Sequence, residues 1–199
     1  MHKSSVLKMR YFKENYLNPD TELKILDIGS FDKSGDYNYG MILNEDNWTY
    51  HGLDLKEGNN VDIIVKDPYK WDEIEDECYD LIISGQAFEH IEYFWLTLEE
   101  IKRIMKPGGM LFIIVPSAGP VHKNPYDCYR FQEDGMKAMA KYINFEIIEF
   151  RTDYDESSTP WHDSILVARK PEVIKDGDIS ARIDNVEYKM DLILQKIKR

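Results

Sequence analysis

Val6, Met9, Phe12 and Tyr16 recur at helical spacing ahead of Pro19, which predicts an amino-terminal helix with one apolar face, ending near Asn18. That face serves either core packing or a lid over a ligand, and residues 1–20 are set apart on this ground. From Lys24 the pattern changes to short β-rich runs at Lys24–Gly29, Thr49–Leu55, Val61–Lys66, Tyr79–Ser84 and Met110–Pro116. Several are apolar almost throughout, as parallel strands covered on both faces are. Between them the clearest helix is Phe94–Met105, where Leu96, Leu98, Ile101, Ile104 and Met105 make an apolar face and Lys106-Pro107-Gly108-Gly109 ends it.

Strand and helix in alternation predict an α/β fold, a doubly wound, Rossmann-like and mostly parallel sheet over residues 21–170. Phe145–Phe150 and Ser164–Arg169 have only a polar loop between them, so they should pair antiparallel as an edge hairpin. Lys56–Asn60 is too short for a normal parallel crossover, which makes the third strand either very short or an extended run past the sheet edge. Residues 171–199 read as a charged linker and a coiled-coil-like helix. In it Ile179, Ile183, Val186, Met190, Ile193 and Ile197 alternate spacings of four and three, a heptad seam that predicts a homo-oligomer.

A chain of 199 residues with 43% hydrophobic and 31% charged positions fits one globular domain with appendages. Its formal net charge of −12 disfavours nucleic acid and anionic membrane surfaces as partners. No apolar run approaches the roughly 20 residues that span a bilayer. Charge interrupts the first ten residues too early for a signal peptide's apolar core, so a cytoplasmic protein is expected. The two cysteines, Cys78 and Cys128, have no metal-ligand spacing and are expected as free thiols.

The chemistry begins at Ile25-Leu26-Asp27-Ile28-Gly29-Ser30, an apolar strand that delivers an acid and then a glycine at its carboxyl end, where α/β sheets bind ligands. Asp27 would repel a pyrophosphate but can accept a hydrogen bond from an ammonium. The following GSFDKSG also misses the dinucleotide and P-loop patterns, which lowers a nicotinamide-dependent reading. Asp54 closes the second strand, where a carboxylate can accept both ribose hydroxyls. Asp67, beyond the third, can accept from an exocyclic amine or can serve the turn that Pro68 continues.

With these elements, and with Tyr79–Ile91 (YDLIISGQAFEHI) and Glu100–Gly109 (EIKRIMKPGG), the chain resembles the class I S-adenosylmethionine-dependent methyltransferases, particularly the small type-11-like bacterial group, over about residues 23–170. The resemblance implies S-adenosylmethionine as cofactor. It places Asp27 and Gly29 at the methionine part, Asp54 at the ribose, Asp67 at the adenine, and Gly85 and Gln86 beside the sulfonium, with Ser30 also in the cofactor site. The family's second glycine is here Phe31.

Methyl transfer from a sulfonium mostly requires alignment of the acceptor, and a base only where the acceptor must lose a proton. The run Val121–Phe131 should overhang the cofactor end of the sheet. In it His122 is the leading base, Asp127 its orienting carboxylate, and Tyr129 and Arg130 the groups for a polar or anionic acceptor. The same residues can instead anchor a long loop. His90 is the competing base, while His51 and His162 are read as structural. No histidine pair has close metal spacing, so no metal site is expected. The reading is methyl transfer to an oxygen or nitrogen of a small polar acceptor, such as a sugar or glycan precursor. The alternative is a catalytically degenerate cofactor-binding or oligomerising module.

Overall fold

A computed structural model describes residues 3–33, 35, 37–154 and 160–172, so the heptad seam at 179–197 lies outside the described residues. Helix α1 (Lys3–Tyr16) is followed by β1 (Leu23–Ile28), β2 (Trp48–Asp54), β3 (Ile63–Ile64) and β4 (Tyr79–Gly85). Then come α2 (Phe94–Ile104), β5 (Met105–Pro116), α3 (Glu133–Tyr142), β6 (Glu146–Thr152) and β7 (Asp163–Arg169). Single 3-10 turns occupy Tyr39–Met41 and Phe88–His90.

The sheet order is β3-β2-β1-β4-β5-β7-β6. The pairings from β3 to β5 are parallel, while β7 is antiparallel to both β5 and β6. The mostly parallel sheet with an antiparallel hairpin at one edge is thus as expected. Within the hairpin it is β7, the later strand, that lies inside next to β5. Its composition explains this: Asp163–Ala168 is buried throughout, whereas β6 carries the exposed or half-buried Glu146, Glu149 and Arg151 of an edge strand.

Side chains alternate between two apolar layers. Leu26, Ile28, Ile82, Leu111, Ile113 and Leu166 point to one face, with Leu98, Ile101 and Ile104 of α2 and Met136, Met139 and Ala140 of α3. Ile25, Leu81, Ile83, Phe112, Ile114 and Ile165 point to the other, with Met9 and Phe12 of α1. Two-residue periodicity of the strands thus supplies a layer to helices on each face. Phe12 is fully buried and stacks on Phe112 with ring centroids 4.3 Å apart and planes 6° apart.

The third strand takes the very short form allowed for it, and two other elements differ from the pattern reading. The third strand shrinks from Val61–Lys66 to Ile63–Ile64, because Asp62 folds back on β2, accepting the Gly52 amide on its carboxylate and donating its own amide to the Gly52 carbonyl. Strand β5 starts at Met105 rather than Met110. Met105 pairs with Tyr79 and the Pro107-Gly108 stretch bulges out before Met110 pairs with Leu81. Helix α3, with Met136, Met139, Ala140 and then Ile143 buried at helical spacing, was not predicted.

Candidate functional site

The carboxyl ends of β1, β2 and β4 meet in one place, each bringing residues singled out in the sequence. Gly29 leaves β1 with φ +76°, and a Cβ there would stand 2.4 Å from the Ala87 Cβ, so the turn demands glycine. The Gly29 and Ser30 amides both donate to the Leu53 carbonyl, at 2.9 and 3.1 Å. The Ser30 hydroxyl donates to the Asn60 carbonyl at 2.6 Å, and the Asn60 amide returns to the Ser30 carbonyl at 3.0 Å. This reciprocal pair clamps the loop after β1 to the loop after β2.

Asp27 is buried and accepts the Tyr50 hydroxyl at 2.5 Å. Burial pushes its carboxyl up to about 7; the Tyr50 bond opposes the rise and the Asp54 charge adds to it. Asp54 accepts the Leu55 amide at 2.7 Å and the Phe31 amide at 3.3 Å, and stays partly open to solvent. Phe31, at the position of the family's second glycine, lays its ring against Gly58, where a Cβ would stand 2.1 Å from its edge. The phenyl therefore leaves the loop sideways while its amide still turns toward Asp54.

Asp67 is exposed, and its carboxylate accepts the Tyr69 amide at 2.8 Å, forming the turn that the Pro68 sequence signalled. Gly85 ends β4 where the Tyr39 hydroxyl approaches; a Cβ there would stand 2.0 Å from that oxygen. Gln86 adopts φ +60°, a strained value for a residue with a side chain. Its amide nitrogen donates to Asp163 at 3.0 Å, and the other oxygen of that buried carboxylate accepts the Ser4 hydroxyl at 2.6 Å. Lys8 stands 3.7 Å from the same oxygen. The first turns of α1 are in this way bonded to the sheet end that carries Gln86.

Beside this lies a second cluster. The turn Phe88–His90 continues from β4, and the loop after β5 folds over it, with the Cys128 and Tyr129 amides both donating to the Glu89 carbonyl. The His90 and His122 rings come to 4.9 Å in a T-shaped contact, and Trp161 lies 4.5 Å from His122. Beside both histidines lies the Glu89 side chain, fully buried, with no hydrogen-bond partner on either carboxylate oxygen among the described residues. Burial pushes its carboxyl up to about 8, against the pull of its own nearby backbone N–H and of the Arg130 guanidinium. Burial also lowers His90, which favours its neutral form.

Asp127 accepts the His122 backbone amide at 2.8 Å and stands 3.7 Å from the ring Nδ1, so it holds the residue through the backbone. Two hydrogen bonds from Arg130 at 2.6 and 3.0 Å hold the Asp127 carboxyl well below the usual carboxylate range. Arg130 also donates to the Pro120 and Tyr129 carbonyls, and the Tyr129 hydroxyl to the Glu92 carbonyl at 2.6 Å. These contacts spend much of the polar capacity assigned to an acceptor on anchoring the loop. His51 pairs with the Tyr79 hydroxyl and His162 with the Asp153 carbonyl, both within structural networks.

The structure therefore brings His122, His90 and Asp127 together, and Asp27, Gly29, Ser30, Asp54, Gly85 and Gln86 together. Sequence reasoning singled out neither Glu89, although it lies next to His90, nor Asp163. Burial without partners and contacts across 77 residues of chain have no local signature. A surface cleft lined by Leu23, Asp80, Gly109 and Arg169 opens at the strands' opposite, amino ends.

Residues 36–113 match a family model described as methyltransferase domain. That stretch includes Asp54, Gly85, Gln86 and His90 but neither Asp27 nor the loop with His122. No curated protein matches the chain in sequence. Among solved structures, an S-adenosylmethionine-dependent methyltransferase from Methanosarcina mazei is 16% identical over 80% of this chain and 97% of its own, with TM-score 0.62. The Burkholderia thailandensis 1,6-didemethyltoxoflavin-N1-methyltransferase, solved with S-adenosylhomocysteine, is 14% identical over 85% and 80%, with TM-score 0.66. The Haemonchus contortus phosphoethanolamine N-methyltransferase 2, solved with S-adenosylmethionine, is 15% identical over 85% of this chain and 52% of its own, with TM-score 0.60. Among the described residues no helix is long and apolar enough to cross a membrane.

Proposed function

We propose that this chain, a class I S-adenosylmethionine-dependent methyltransferase of the type-11 kind, transfers the methyl group to an oxygen or nitrogen of a small polar acceptor held beside His122. The observation that carries the reading is the adjacency along one chain segment of Gly85-Gln86, at the end of β4, and the Glu89-His90 turn against which His122 packs. Cofactor and acceptor ends of a transfer reaction need such neighbours. The bound cofactor supplies a methyl carbon already attached to an excellent leaving group.

The residues fit that group. Asp27 lies behind the glycine turn, where a carboxylate can meet the ammonium of a methionine moiety. Asp54 has a partly open carboxylate at a strand end for the ribose hydroxyls, and Gly29 and Gly85 keep side chains out of the groove. Asp67 as the adenine partner rests on the family resemblance, and in the structure its carboxylate caps a turn.

At the acceptor side, the loop 120–130 aligns the nucleophile with the methyl carbon, which is most of what this displacement requires. His122 would take the acceptor's proton, with His90 as the neighbouring base. Asp127, locked by Arg130, positions His122. A sugar or glycan precursor remains the acceptor class we favour, and the seam at 179–197 is proposed to join copies of the chain.

Calorimetric titration of the purified, cofactor-stripped protein with S-adenosylhomocysteine, using NAD as control ligand, tests the reading. Micromolar binding of S-adenosylhomocysteine alone supports it. No binding to folded protein overturns it in favour of a degenerate module.

A further inference from the structure

The Glu89 side chain poses a problem that the base mechanism leaves unsolved. A carboxyl group taken wholly out of water with no hydrogen bond to either oxygen among the described residues is costly, and buried polar groups are normally hydrogen-bonded, paired or bound to metals. His90 Nε2 stands 3.7 Å and His122 Nε2 4.0 Å from one carboxylate oxygen, both too far for hydrogen bonds. Ligand atoms of the three residues all lie within 4.8 Å of one another.

The ring states follow from the outer contacts. His90 Nδ1 stands 2.6 Å from the Tyr126 carbonyl, which can only accept, so Nδ1 carries the hydrogen. When the ring is neutral, Nε2 then offers a lone pair on the side of Glu89. A backbone carbonyl behind the His90 ring is the usual support of a metal-binding histidine. Around His122, Nδ1 accepts from an Arg130 nitrogen at 3.4 Å and lies 3.7 Å from the Asp127 carboxylate, so an ion at Nε2 requires the ring hydrogen to move to Nδ1, on the side of Asp127. The Arg130 charge is already matched by Asp127, so it does not neutralise Glu89 by direct contact.

We propose that Glu89, His90 and His122 bind a divalent transition-metal ion of the zinc class. Ligand bonds of about 2.0–2.2 Å in a tetrahedral site require the donor atoms to approach one another by a few tenths of an ångström to about 1.5 Å. Two imidazoles and one carboxylate are a donor set of the kind found in catalytic zinc sites, which keep a fourth position open. Position and chemistry thus agree: the ion sits where the acceptor is proposed to bind and lowers the pKa of an acceptor hydroxyl attached to it. In the ion-bound protein His122 is a ligand, and the activation assigned to it passes to the ion. The site itself rests on these three side chains and not on methyl transfer.

The test uses the full chain, stripped with chelator, titrated with zinc by calorimetry and with cobalt(II) followed by visible absorption. The expected result is one saturable ion per chain and the absorption of four-coordinate cobalt. His122→Ala and Glu89→Gln each weaken zinc binding at least about tenfold, with circular dichroism and S-adenosylhomocysteine binding retained. Cys128→Ser, which removes a nearby free thiol, leaves zinc binding unchanged. Folded wild-type protein without saturable zinc binding overturns the proposal, as does loss on Cys128→Ser but not on His122→Ala. Zinc failure with S-adenosylhomocysteine bound refutes the metal site alone; the reverse result refutes the cofactor reading alone.

Discussion

Gly29 and Ala87 approach so closely that any side chain at position 29 would penetrate the Ala87 methyl, a Cβ–Cβ separation of 2.4 Å. The contact joins the turn after β1 to the turn after β4, the two turns that frame the proposed cofactor groove. Gly29→Ala must relieve the clash and also hold φ +76° with a side chain. We expect a loss of about 1–3 kcal/mol in stability and a weakening of S-adenosylhomocysteine binding. Urea unfolding and calorimetry check the two effects, and wild-type values in both would remove the turn from the site.

Asp54→Ala separates binding from folding. Its carboxylate accepts two backbone amides at a partly open position, so folding should lose little, while the ribose hydroxyls lose their acceptor. A drop in S-adenosylhomocysteine affinity of about tenfold or more is expected, from a charged hydrogen bond's usual 1.5–3 kcal/mol. Unaltered affinity in a variant with native circular dichroism would exclude Asp54 from the cofactor.

His122→Ala should leave S-adenosylhomocysteine binding intact while turnover with an identified acceptor falls by at least about a hundredfold, the lower range for a lost acid–base group. Retained turnover would exclude His122 from both its roles, base and ion ligand.

Asp27 makes stability depend on pH. Its folded carboxyl is raised to about 7, whereas an unfolded one titrates near 4, so between those values the folded chain holds a proton that the unfolded chain has lost. The group's contribution is therefore fully present below about pH 4 and falls as pH rises to about 7, by up to about 4 kcal/mol. Asp27→Asn should flatten that part of the curve. Urea midpoints of both proteins at about pH 5 and pH 8 test it, and parallel pH dependences would refute the assignment.

Phe12→Ala measures how firmly α1 belongs to the domain. The ring is fully buried and stacked on Phe112, so truncation should cost about 3–5 kcal/mol. Through Ser4 and Asp163 it should also loosen Gln86 and reduce cofactor affinity. Thermal unfolding and calorimetry read these, and a cost under about 1 kcal/mol would make α1 a loosely docked cover.

Much of the framework was legible along the chain because its causes are local. Two-residue and helical periodicities decide which face of each element is apolar, and an acid followed by glycine at a strand end decides where the backbone turns. Asp27, Gly29 and Asp54 were reached in this way, as was the antiparallel pairing of the last two strands, whereas Gly85 and Gln86 came from the family resemblance. Helix α3 was equally local in its pattern, and its apolar spacing went unread.

What the sequence by itself determined was the alternation of elements and the end of the sheet that carries the chemistry. Only the tertiary structure decided that β7 lies inside β6, that the Phe31 ring leaves its loop to rest on Gly58, and that Asp163 joins α1 to Gln86. It also decided that Glu89, His90 and His122 converge, where separation along the chain had argued against any metal. The reason is physical: burial and donor geometry arise from packing between segments distant in sequence, and no local spacing encodes which carboxylate will be left without water.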